Sequence, residues 1–116
     1  MIRRSAEKTV VTRENMRGGQ GIVKMENVLN GAEEMYGKGR LFTKIILEPG
    51  CSIGHHVHEG ESETFYFLRG TGEYDDNGEI TTVQAGDVAF AGDGEGHSIK
   101  NIGDEPLEFI ALILYK

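Results

Sequence analysis

Apolar and β-branched residues recur along this chain in short runs, each closed by glycine, proline or a polar turn. Leu41 to Glu48 is such a run and ends at Pro49-Gly50, which predicts a strand followed by a turn. Thr64 to Leu68 is a second, stopped by Gly70-Thr71-Gly72. Glu73 to Asp75 and Glu79 to Val83 flank Asp76-Asn77-Gly78, and Asn-Gly between two strand-like runs predicts a tight hairpin. Val88 to Phe90, Ser98 to Ile102 and Leu107 to Tyr115 complete the set. Strands at roughly ten-residue spacing predict a sandwich or barrel rather than alternating strands and helices. Only Glu33 to Tyr36, between Gly31 and Gly37, reads as a helical turn. The pattern weakens before residue 40. Gly21 to Leu29 reads as a strand, and residues 1–17 as an extended segment placed to lie against a partner subunit. We therefore expect one domain over residues 1–116, with 1–40 as an N-terminal extension and first strands and 41–115 as the barrel.

Composition narrows the function classes. The chain has 17 glycines against two prolines, which suits strands joined by tight turns. Its net charge of −7 argues against a nucleic-acid partner, because a concentrated basic face would be needed. The one basic stretch holds Arg3, Arg4, Lys8, Arg13 and Arg17, but Glu7 and Glu14 interrupt it, so it reads as a solvated segment. The longest apolar run, Phe109 to Leu114, is far too short to span a bilayer, and no membrane partner is expected. The opening Met-Ile-Arg-Arg-Ser lacks the apolar core of a signal peptide. The single cysteine, Cys51, forms no internal disulfide. Together these predict a cytoplasmic protein.

All four histidines fall in two short segments. On a strand, residues two apart share a face, so His56 and His58 project together while Val57 points away. Glu63 opens the next run in parity with Phe65 and Phe67, which aims a carboxylate at an apolar interior. A buried charge of that kind needs a cation. In the second segment His97, Ile99 and Asn101 share parity behind a glycine-rich loop. Imidazole nitrogens with one carboxylate oxygen suit manganese, iron, cobalt, nickel, copper or zinc, and disfavour magnesium and calcium. The remaining residues have plainer readings. His55 is out of register and faces outward, and Cys51 is a half-buried residue of the barrel mouth. Phe65, Phe67 and Phe90 pack the barrel, while Asp75, Asp76 and Glu79 are solvated. Glu59, Glu61, Asp93 and Glu95 are placed on flanking loops, where charge balance accounts for them; proton transfer by one of them is the alternative.

These segments resemble the two sequence motifs of the cupin superfamily. Gly50, His56, His58, Glu63 and Gly70 meet every position of the first, which is Gly, five residues, His-x-His, three or four residues, Glu, six residues, Gly. Gly86, Gly94, His97 and Asn101 match the second, with Gly92 where the family usually has proline. The resemblance is to small single-domain, oxalate-decarboxylase-like members. It implies an all-β double-stranded β-helix, or jelly-roll barrel, with an interior metal held by His56, His58, Glu63 and His97. One divalent transition metal is expected, among manganese, iron, nickel and zinc, with manganese slightly preferred.

Four protein ligands leave two positions of an octahedral ion for a bidentate ligand such as a small carboxylate. The sequence thus leans toward a metal-dependent enzyme, a decarboxylase, dioxygenase or isomerase on a small carboxylate or other polar metabolite. The alternative is a non-catalytic, metal-dependent sensor or binding protein. Strand edges that need protection, and a long N-terminal segment, predict a homodimer.

Overall fold

The computed structural model describes all 116 residues. The chain folds into ten strands with three single 3₁₀ turns and no longer helix. The strands are β1 (Val10–Glu14), β2 (Ile22–Leu29), β3 (Gly39–Leu47), β4 (Ser52–Val57) and β5 (Glu61–Arg69), followed by β6 (Thr71–Asp76), β7 (Glu79–Gln84), β8 (Val88–Ala91), β9 (Gly96–Asn101) and β10 (Leu107–Tyr115). They form a six-stranded sheet ordered β1-β2-β3-β10-β5-β8 and a four-stranded sheet ordered β4-β9-β6-β7. All pairings are antiparallel. This is the expected jelly roll, and no helix is long and apolar enough to cross a membrane.

Alternation along the strands explains where the core lies. In β10 Leu107, Phe109, Ala111 and Ile113 are buried, and in β5 Glu63, Phe65 and Phe67 are buried beside them. The aromatic interior is centred on Phe65, Phe67 and Phe109, with Phe65–Phe109 ring centroids 4.6 Å apart. The predicted hairpin joins β6 to β7, with Asn77 and Gly78 both at positive φ as a two-residue turn of this kind requires. Gly70 ends β5 at φ 89°, and any Cβ there would press on the Pro106 carbonyl, so this turn admits only glycine.

One packing expectation needs correction. Phe90 does not pack the barrel. β8 pairs with β5 so that Ala91 faces Glu63 and Ala89 faces Phe65, which puts the alanines inside and leaves Phe90 57% exposed on the outer face. The N-terminal stretch is largely exposed, as expected, and is also tied to its own chain. Val10 to Glu14 pairs with β2 of the same chain, Arg3 is bonded to Glu34 and Lys8 to Glu26.

One irregularity positions the site. Ile53 pairs with Ile99 but His56 pairs with His97, so β4 spends three residues where β9 spends two. This bulge at Gly54-His55 inverts the alternation. Ile53 and His56, of opposite parity, therefore both face inward, and His55 is left exposed as expected.

Candidate metal centre

His56 lies near the end of β4 and His58 just beyond it, Glu63 lies in β5 and His97 in β9. The His58 N–H donates to the Glu95 carbonyl and its own carbonyl accepts from Gly94, which ties this residue to the loop before β9. His58, Glu63 and His97 are at most 5% exposed, and the His56 side chain is also largely enclosed.

The four side chains offer ligand atoms that all lie within 4.8 Å of one another. His97 Nε2 is 3.0 Å from His58 Nε2, 3.2 Å from His56 Nε2 and 3.0 Å from Glu63 Oε1. His58 Nε2 is 3.1 Å from the same carboxylate oxygen. Metal–nitrogen bonds of about 2.0–2.1 Å set at right angles place neighbouring ligand atoms about 3 Å apart, so the set fits a single transition-metal ion.

The outer nitrogens fix which face each ring presents. His56 Nδ1 donates to the Gly54 carbonyl at 2.8 Å, and His58 Nδ1 donates to the Glu61 carboxylate at 3.0 Å. A carbonyl or carboxylate only accepts, so the proton sits on Nδ1 and Nε2 presents a lone pair inward. His97 Nδ1 lies 2.8 Å from the Tyr74 hydroxyl, and the His97 ring stacks on Phe65 with centroids 5.1 Å apart. Lone pairs converging beside a buried carboxylate repel one another unless a cation lies between them. Partners on the far side of a ligating imidazole are what orients it and raises its basicity.

Charges around the cluster follow from these contacts. Without a metal, burial disfavours a charged Glu63, but His56, His58 and His97, when their rings also carry a proton on Nε2, donate to it and hold the carboxyl well below its usual range; a cation takes the place of those protons. The contact with Glu63 also raises His58 above an ordinary imidazole, with Glu61 adding to the effect. Glu61 is brought down to about 2, chiefly by Arg40, whose guanidinium grips both carboxylate oxygens at 2.7 Å. Burial and the nearby Asp76 push the Tyr74 phenol up, so it remains a neutral hydroxyl.

Glu61 is thus a strand residue that orients His58, not the loop residue expected from the sequence. Asn101, in parity with His97, closes the other end of the barrel, donating to the Leu47 and Glu105 carbonyls at 2.8 Å each. Gly92, where proline is usual, donates its N–H to Glu95 Oε1 at 2.7 Å, a bond proline cannot make.

Beside the ligands is a cavity of about 160 Å³, lined by His56, His58 and Glu63, apolar residues such as Leu41, Ile45 and Ile113, and the arginines 13, 17 and 40. Sequence reasoning missed Tyr74, Arg40, Arg13 and Arg17. Tyr74 opposes Ile99 across β6 and β9, so parity would have turned it inward had the pairing been known. Nothing local marks the arginines.

Residues 43–113 match the sequence family described as Cupin domain. The chain belongs to the cupin family. It is 48% identical over 114 residues to a protein of Thermotoga maritima called oxalate-binding protein, covering 98% of this cupin and 93% of that protein. A crystal structure from the same organism, of a predicted oxalate decarboxylase, aligns over 100% of both chains with a TM-score of 0.94 and 47% identity. Similarity to oxalate decarboxylase OxdC of Bacillus subtilis is 33% over 73 residues, 59% of this cupin but only 19% of that protein.

Proposed function

We propose that this cupin is a metal-dependent binding protein for a small carboxylate, with one divalent transition metal held by His56, His58, Glu63 and His97. The observation that carries the reading is the convergence of three imidazole Nε2 atoms and one carboxylate oxygen beside a small cavity that His56, His58 and Glu63 line. When bound, the ion supplies Lewis-acid attraction for a carboxylate oxygen. Manganese is the first metal to load, followed by iron, nickel and zinc, because the Glu63 oxygen favours a hard or borderline ion. Oxalate is the first ligand to test, because the Thermotoga maritima relative is called oxalate-binding.

The cavity lining favours capture over turnover and so moves the reading away from an enzyme. A decarboxylase must protonate the carbon it leaves behind. Apart from the metal-ligating set, the ionisable groups lining the cavity are Arg13, Arg17 and Arg40, which stay protonated and give up no proton. Glu61 is engaged by Arg40 and His58. Manganese-loaded protein should be stabilised by oxalate. A hundredfold excess over Kd contributes about 2.7 kcal/mol and raises Tm by at least about 10 °C. Stabilisation without release of carbon dioxide supports capture, release of carbon dioxide with an equivalent of formate establishes a decarboxylase, and the lack of any metal-dependent stabilisation overturns the carboxylate reading.

We further read the whole chain as one cupin domain, cytoplasmic, with a free Cys51 suited to a reducing compartment. It forms a homodimer through the outer face of the six-stranded sheet. The support is β10, whose outward residues Ile110, Leu112 and Leu114 are apolar too, beside exposed Tyr66, Val88 and Phe90. Strands apolar on both faces are typical of sheets covered on both sides. Light scattering that returns a monomeric mass overturns the dimer.

A further inference from the structure

Of the arginines, Arg3, Arg40 and Arg69 are each paired with a glutamate. Arg13 and Arg17 have no carboxylate within ion-pair distance, yet both line the cavity that holds His56, His58 and Glu63. In a chain of net charge −7, two unpaired guanidinium groups beside one cavity make a local field that draws anions.

The backbone holds them there at some cost. Arg17 has φ 55° and ψ 30°, and Asn15 has φ 52° and ψ 44°, both left-handed. Such conformations cost non-glycine residues about 1–2 kcal/mol each and persist only where the surroundings enforce them. Here β4 enforces them. A Cβ at Gly54 would collide with the Arg17 carbonyl, and one at Gly19 with the Ser52 carbonyl, so the two glycines let the backbones touch. The Gln20 N–H donates to Ser52 Oγ at 2.9 Å, and the Ser52 N–H donates to the Gln20 carbonyl at 2.8 Å. Arg17 is thereby fixed against the strand that carries His56.

Size and charge define what fits. A cavity of about 160 Å³ is the volume of roughly five water molecules, which suits a ligand of a few heavy atoms. A divalent ion beside Glu63 leaves one net positive charge, and a bound dianion turns that into one surplus negative charge. The surplus must be met from outside the ligand set, and Arg40 is already neutralised by Glu61.

We propose that Arg13 and Arg17 form a cationic clamp for the second carboxylate of a short dicarboxylate, making the N-terminal segment the specificity-determining part of the site. The clamp rests on the reading of a metal-bound carboxylate. A guanidinium fork matches a carboxylate in two parallel hydrogen bonds, whereas a monocarboxylate leaves the clamp empty.

Calorimetry on the manganese-loaded full chain, with oxalate and acetate as probes and metal content measured in parallel, tests it. Arg13→Gln and Arg17→Gln should each weaken oxalate binding about 10- to 100-fold, and the double variant more, with metal content unchanged and acetate affinity falling far less. Arg17→Lys, which keeps the charge without the fork, should fall between. Arg13 lies outside the strained turn, so its variant remains informative if Arg17 variants fold poorly. A double variant that binds oxalate like the wild type overturns the clamp and leaves the metal–carboxylate reading intact. Loss of metal in the Arg variants also overturns the clamp, by making it part of the metal site. A wild type that binds neither probe overturns that reading and the clamp with it.

Discussion

The two ends of the barrel use buried side chains in opposite ways. At the end formed by Leu47, Phe67 and Leu107, each residue is fully enclosed, and the one polar side chain among them, Asn101, uses its amide to bond the Leu47 and Glu105 carbonyls. At the other end, Glu63 and His97 are almost as buried but converge on one another with acceptor atoms facing. The first end is complete as folded. The second brings together four ligand atoms that could hold a cation. Stability is concentrated where packing closes, and function where polar groups are aimed at a shared point and left for a partner.

The largest expected effect lies at the closed end. Phe67→Ala should cost about 3–5 kcal/mol in chemical denaturation, because a fully buried aromatic leaves a cavity behind. Metal stoichiometry in the surviving folded fraction should be unaffected. At the open end the order reverses. His97→Ala should leave the protein folded but weaken metal binding by more than about 100-fold, beyond what loss of a supporting partner costs. Equal metal affinity by competition with a chelator would sink the ligand assignment. Glu61→Gln, which removes the charge held between Arg40 and His58, should weaken the metal about 10- to 100-fold without displacing a ligand. Tyr74→Phe should do less, near the lower figure, since it removes one neutral partner from His97 Nδ1.

The smallest effect sharpens the comparison through pH. In metal-free protein the pKa of His58 is raised above 6.5, so its stabilising contribution is full below the unfolded value and is lost as pH rises through the folded one. With metal the sign inverts, because protons and metal compete for the same imidazoles and metal-derived stability grows as pH rises. Thermal melts between pH 6 and 8 should therefore slope in opposite directions for the two forms, while Phe67→Ala keeps both slopes. Parallel slopes would show that no metal competes at His58. Glu61, held near pH 2 chiefly by Arg40, contributes stability that fades only as acid takes the pH below the ordinary carboxylate range.

Most of the fold was legible in the sequence because strands leave a two-residue pattern and turns leave glycine. The run from Leu107 to Tyr115 became β10 over the same residues, and Asn77-Gly78 became the hairpin. Phe90 was misread for a definite reason. An aromatic in a short run is apolar on either face, and only its register opposite Thr64 sends it outward.

His56, His58 and Glu63 were recoverable because they are close in sequence and strand parity aims them, whereas His97, 34 residues beyond Glu63, joined them through the resemblance to the second cupin motif. That same parity hid the bulge at Gly54-His55, which lets Ile53 share the inner face with His56. The sequence by itself determined the strands and the turns, because these depend on local periodicity and spacing, and its two motifs marked the four side chains that the resemblance implied would converge. Only the tertiary structure decided what surrounds them. Arg40 meets Glu61 across 21 residues, Tyr74 meets His97 across 23, and Arg17 reaches the cavity because β4 and a strained turn touch at two glycines. Such contacts carry no local signal, since closing the barrel is what brings the partners together.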